Sequence, residues 1–191
     1  NLIAGIDQPS GGTIQIAGTD IATLGEGALA DWRAQHVGFI FQFYNLMPVL
    51  TAFENVELPL LLTSLTPRQR RERVAQVLQL VQLSDRADHY PNELSGGQQQ
   101  RVAIARAIVT EPTLLLADEP TGNLDSARGH EIMVLLATLQ REHGITVLMV
   151  THEPEMAAYA HRVLRFRDGV IAGDERQQPV PATGVGAGAT A

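Results

Sequence analysis

Two uninterrupted apolar runs frame the chain: Leu114-Leu115-Leu116-Ala117, ending in Asp118-Glu119, and Thr146 to Val150. Runs of strand length without alternation predict parallel strands covered on both faces. The segment between them, Ser126 to His143, reads as a helix, so the three make a βαβ unit. Val37 to Phe41 is a shorter apolar strand that ends at Gln42. Upstream, Thr13 to Ile16 alternates as a strand, and Gly18-Thr19-Asp20 reads as a turn. Asn1 to Gly5 reads as a helix end capped by Gly5, followed by a turn at Pro9-Ser10-Gly11-Gly12.

Helix starts are marked more sharply than helix ends. Thr51 with Glu54 predicts a capping box. Thr66, Pro67 and Gln69 open another helix, with Val74, Val77, Leu78 and Val81 on one face. Ser95 occupies an N-cap position ahead of a helical segment through Val109. After Arg176 the chain turns rich in Pro, Ala, Gly and Thr, so residues 177–191 are expected to be a disordered tail.

Composition narrows the classes. A length of 191 residues with 45% hydrophobic content suits one globular domain with a real core. A net charge of -7 argues against a nucleic-acid partner, which usually meets a basic face. There is no cysteine, hence no disulfide framework and no thiolate metal site. No uncharged apolar run reaches the roughly 18 residues of a membrane span, and no signal peptide is visible. All 14 basic residues are arginine, so the Gly-Lys-Ser/Thr ending of a phosphate loop cannot be written with this chain.

The chemistry gathers at four places. Ser95-Gly96-Gly97 opens a helix whose unpaired N–H groups and dipole favour an anion. Asp118 and Glu119 follow a buried strand, which suits one carboxylate on Mg²⁺ and one on water. His152 follows the strand ending at Val150, and Gln42 follows the strand ending at Phe41. A lone His or Gln says little, and five other histidines read as structural or surface. These two gain weight from strand ends, where ligands bind in α/β sheets.

In this order, Gln42, Leu94-Ser95-Gly96-Gly97-Gln98, Leu114 to Glu119, Asn123-Leu124-Asp125 and His152 resemble the nucleotide-binding domain of an ABC transporter. The resemblance runs from Asn1 to about Gly173. The stretches Phe41 to Pro48 and Ala117 to Asp125 are most similar to the subfamily of lipoprotein-release, macrolide-export and cell-division ATPases.

The resemblance implies an α/β fold: a P-loop NTPase-like ABC ATPase core over residues 1–176. It implies a helical signature subdomain at about 51–109 and a small, incomplete N-terminal β part. It implies ATP and Mg²⁺ as ligands, with hydrolysis driving export or extraction through a partner permease. The implied roles follow the motif. Ser95, Gly96, Gly97 and Gln98 would face the γ-phosphate of ATP held by an opposite subunit, and Asp125 would couple the two sites of a head-to-tail dimer. Asp118 would hold Mg²⁺, with Gln42 contacting both the metal and the attacking water. Glu119 would be the general base or water-orienting group, and His152 would contact the γ-phosphate. The apolar stretch Phe43 to Leu62, including Tyr44 and Leu46, would dock the permease, placing the protein at the cytoplasmic face of the inner membrane. The family's phosphate loop would precede Asn1, so the chain reads as N-terminally truncated and, alone, inactive. The rival expectations are a nucleotide-driven regulatory partner without transport and a DNA-maintenance ATPase. The second is disfavoured by the acidic charge and by the absence of coiled-coil or cysteine insertions.

Overall fold

The computed structural model describes residues 1–181. Its centre is a parallel sheet of β3 (Val37–Phe41), β4 (Leu114–Asp118) and β5 (Thr146–Val150), with β4 in the middle. Ahead of it, β1 (Gln15–Ile16) and β2 (Thr19–Asp20) form a short antiparallel pair, followed by α1 (Glu26–His36). Between β3 and β4 lie α2 (Ala52–Glu57), α3 (Pro67–Leu80) and α4 (Gly96–Ile108). The helix α5 (Ser126–His143) joins β4 to β5. A short α6 (Pro154–Ala157) leads into the antiparallel hairpin β6 (Arg162–Arg167) and β7 (Val170–Arg176).

Alternation along the strands divides the core in two. Val37 joins Ile21, Leu29 and Trp32 beneath α1, with Phe39 and Leu116 packed against them. Ile40, Leu115 and Ala117 point the other way, into the larger cluster built by α2, α3, α4 and α5. Gly38 lets α4 lie close on the sheet, because a Cβ there would overlap the Ala107 carbonyl. Both expected capping boxes form: Thr51 with Glu54 and Thr66 with Gln69. Val74, Val77, Leu78 and Val81 are all buried.

Four readings of the sequence need correction. Thr19–Asp20 is a strand, not a turn; the reversal sits at Ala17 and Gly18, both with positive φ. Asn1 to Gly5 makes hydrogen-bonded turns rather than helix, although Gly5 does hold left-handed φ at 62°. Among the described residues β5 is less covered than its apolar run predicts: none of its residues is fully buried, and Val150 is 56% exposed. The stretch after Arg176 starts tied down: Gln177 donates to His161 O, Ala157 O and Ala160 O, and Val180 N–H donates to Ala158 O. The rest of the expected tail, 182–191, lies outside the described residues.

Candidate functional site

The parallel register places three strand ends side by side. Phe41 stands opposite Asp118, and Asp118 opposite Val150. Gln42, Asp118, Glu119 and His152 therefore leave the same carboxyl edge, where open α/β sheets bind ligands.

Glu119 is the best-held of them. It takes left-handed backbone at φ 46°, with its N–H donating to Val150 O at 2.9 Å. Its Oε1 accepts from the His152 backbone N–H at 3.1 Å and pairs with His152 Nδ1 at 2.7 Å. The Oε2 atom is buried and has no partner in the protein. The Glu119 side chain is 19% exposed, whereas the His152 side chain is 79% exposed. The hydrogen bond and charge of Glu119 raise the His152 pKa, favouring imidazolium.

The turn after Glu119 is braced on three sides. Pro120 O accepts from Gln100 Nε2 at 2.6 Å, and Gln100 is fully buried. The Thr121 hydroxyl donates to Glu153 at 3.3 Å. Asn123 Nδ2 donates to Gln42 O at 2.8 Å, and Gln42 Nε2 lies where a Cβ on Gly122 would go. Gln42 is thus seated against the turn that follows the two carboxylates.

At the start of α4, Ser95 and Gln98 complete a reciprocal capping box: Ser95 N–H donates to Gln98 Oε1 at 2.9 Å. The Gln98 side-chain oxygen is thereby used on its own helix end. Among the described residues, the Gly96 and Gly97 N–H groups have no partner, as expected for the first two helical positions. Gly96 faces Tyr44 Oη and Leu124, and Gly97 faces Arg128; Asp118, Glu119 and His152 are not among their nearest neighbours. Asp125 caps α5, accepting from Arg128 N–H at 3.0 Å, with Arg128 Nη1 a further 3.3 Å pair. The site residues therefore fall into two groups, one at the sheet edge and one at the α4 start.

Among the described residues no three of His, Asp and Glu converge as a ready metal cage. Mg²⁺ seldom uses one; it takes one or two protein oxygens and completes its shell with phosphate and water. Asp118 and Gln42 on neighbouring strands, with the unpartnered Oε2 of Glu119 close by in the chain, fit that pattern.

Several members of this arrangement escaped the sequence reading: Gln100, Asn123 as the Gln42 anchor, Tyr44 as the cover of Gly96, and Arg106. Arg106 donates to Asn45 O at 2.6 Å and to Tyr44 O at 2.8 Å. Nothing in residue type marks these four. Gln100, Asn123 and Arg106 act on backbone carbonyls far away in sequence, and Tyr44 acts through its hydroxyl.

Comparison with known proteins gives a consistent picture. A family model described as ABC transporter matches residues 1–122. The chain is 49% identical over 173 residues to the ABC transporter ATP-binding protein YtrE of Bacillus subtilis (strain 168), covering 91% of this chain and 75% of that protein. It is 50% identical over 171 residues to the macrolide export ATP-binding/permease protein MacB of Escherichia coli (strain K12), covering 90% of this chain but only 26% of that one. Among solved structures, the dimeric post-hydrolysis state of the ATP-binding cassette MJ0796 bound to ADP and Pi is similar at TM-score 0.82 and 41% identity, over 94% of this chain and 79% of that one.

Proposed function

The chain belongs to the ABC transporter family, and on that premise we propose that it binds and hydrolyses ATP to drive a partner permease that exports or extracts a substrate. The observation that carries this reading is Glu119: a carboxylate at a strand end, oriented by His152 through two hydrogen bonds and with Oε2 buried and unpartnered. In this reading Oε2 would take a proton from the attacking water once nucleotide is bound. Asp118 and Gln42 would hold Mg²⁺, which supplies neutralising charge to the phosphates. The hydrogen bond and charge of Glu119 favour the protonated form of His152, which would present a cation at the phosphate side.

The free N–H groups of Gly96 and Gly97 stand apart from the sheet-edge residues. This supports a head-to-tail dimer, in which the α4 start of one copy closes over nucleotide held by the other. Under this proposal residues 1–176 act as the ATPase domain, with 51–109 as its helical part.

The docking surface is read from exposure. Phe43 and Val49 are each 73% exposed, Leu62 is 85%, and Met47 and Leu61 are also exposed. Exposed large apolar side chains gathered within Phe43 to Leu62 suit a protein partner. Tyr44 and Leu46, also expected here, turn inward: Tyr44 covers Gly96 and Leu46 packs on the larger core. Among the described residues no helix is long and apolar enough to cross a membrane. The proposed place is the cytoplasmic face of the membrane, at the permease.

The experiment is ATP turnover by the full protein with its membrane subunit, compared with Glu119→Gln. Turnover should fall about 100-fold or more while ATP binding is retained. Unchanged turnover would overturn the reading. Substrate flux into reconstituted vesicles separates transport from a purely regulatory role: hydrolysis with no flux would favour the latter.

A further inference from the structure

The loop following Gln42 is tied to α4 at both of its ends. Tyr44 and Asn45 hold consecutive left-handed conformations, φ 58° and 49°, which side chains avoid unless something imposes them. Holding both residues is Arg106, near the far end of α4. Its planar guanidinium donates to both successive carbonyls, at 2.6 Å and 2.8 Å. At the near end of α4, the Tyr44 hydroxyl fills the space a Cβ on Gly96 would occupy. Arg106 is drawn into the protein far enough that burial lowers its pKa.

The position of this clamp matters. Phe43 precedes it and Met47 and Val49 follow it, all exposed. Met47 is in turn pinned by buried Asn55, which accepts from its N–H and donates to its carbonyl. The same helix, through Gln100, holds the carbonyl of Pro120, the residue after Glu119. One rigid element is thus fastened to the exposed apolar surface, to the free N–H groups at Gly96 and Gly97, and to the turn of the general base.

We infer that Arg106 is a positioning residue that locks the loop 43–49 to α4, so that occupancy of the apolar surface is felt at Gly96–Gly97 and, through Gln100, at Glu119. This rests on the functional reading given above. A contact at the surface can bias a distant site only through an element that both sites hold. Arg106 is the polar link between that loop and α4, and lysine cannot replace it, because a single ammonium does not present a planar fork to two carbonyls.

The test uses the full protein with and without its membrane subunit and compares wild type, Arg106→Ala, Arg106→Lys, Asn45→Gly and the Arg106→Ala/Asn45→Gly pair. Stimulation of ATP turnover by the membrane subunit should drop about ten-fold in Arg106→Ala and nearly as far in Arg106→Lys. Co-purification should persist, and turnover without the membrane subunit should stay within about two-fold of wild type. Asn45→Gly removes the left-handed cost at one position, so the double variant should regain thermal stability but not stimulation. Intact stimulation in Arg106→Ala, or its return in the double variant, would show that the arginine only offsets backbone strain and would overturn the inference. Should Arg106→Ala fail to fold, Arg106→Lys carries the same comparison with the same outcomes. Hydrolysis that survives Glu119→Gln would sink the functional reading instead, and the wild-type-to-Arg106 comparison of stimulation would still be readable.

Discussion

Glu119 and His152 show how much one residue pair can be asked to do. The raised His152 pKa means that the pairing is complete below the ordinary imidazole value near 6.5 and fades as pH climbs through the raised folded value. The His152 imidazole, followed by NMR, should therefore titrate above a free histidine, and Glu119→Gln should bring its midpoint back down. A midpoint unmoved by that substitution would refute the pairing. Asn55 makes a different kind of demand. It is fully buried, and its amide satisfies Met47, Leu50 and Thr51. Asn55→Ala strands those backbone groups and should cost about 2–4 kcal/mol, visible as a lowered urea midpoint. An unchanged midpoint would mean that water replaces the side chain without loss. Gln100 was unremarkable as sequence, and only the position of Pro120 O gives it a task.

At the scale of elements, the contact of α4 with β3 leaves no room for a side chain at Gly38. Gly38→Ala would drive a methyl group into the Ala107 carbonyl, and strand and helix would have to part. We expect a loss of about 1–3 kcal/mol, which for a domain of this size lowers Tm by several degrees. Calorimetry would check it, and an unchanged Tm would show that the seam can relax. The capping residues made helix starts legible in advance: Thr51, Thr66 and Ser95 each close a reciprocal box with the residue three positions on. The expected helix Ser126 to His143 matches α5 at both ends because Asp125 caps it and Gly144, at φ 67°, stops it. The helix α1 was not legible. Its only buried residues are Leu29 and Trp32, too few to write a clear 3.6-residue period.

At the scale of the whole molecule, the proposed function makes the two groups of site residues parts of an assembly rather than of one enclosed active site. The full protein carrying Glu119→Gln should self-associate when ATP is added and stay monomeric without it, as read by light scattering. Ser95→Arg should abolish that association by blocking the α4 start. An ATP-independent monomer in the Glu119→Gln protein would argue against the head-to-tail arrangement. On the same scale, Val49→Asp or Leu62→Asp should weaken co-purification with the membrane subunit while leaving the fold intact, since both side chains already face solvent. Unchanged co-purification would move the docking surface elsewhere.

The sequence by itself determined the local features. Apolar runs defined the three parallel strands, hydroxyl and acid or amide pairs defined the helix starts, and strand ends singled out Gln42, Asp118, Glu119 and His152. These are visible because period, capping and strand-end position are written in neighbouring residues. Tertiary structure alone decided which carbonyls those residues meet. The Arg106 fork on Tyr44 and Asn45, Gln100 on Pro120 and Asn123 on Gln42 span long separations and use backbone atoms that every residue type shares. It also decided that, among the described residues, β5 pairs with β4 alone and that the Tyr44 hydroxyl lies over Gly96. Burial and long-range hydrogen bonding depend on where the chain returns in space, and no residue carries that information alone.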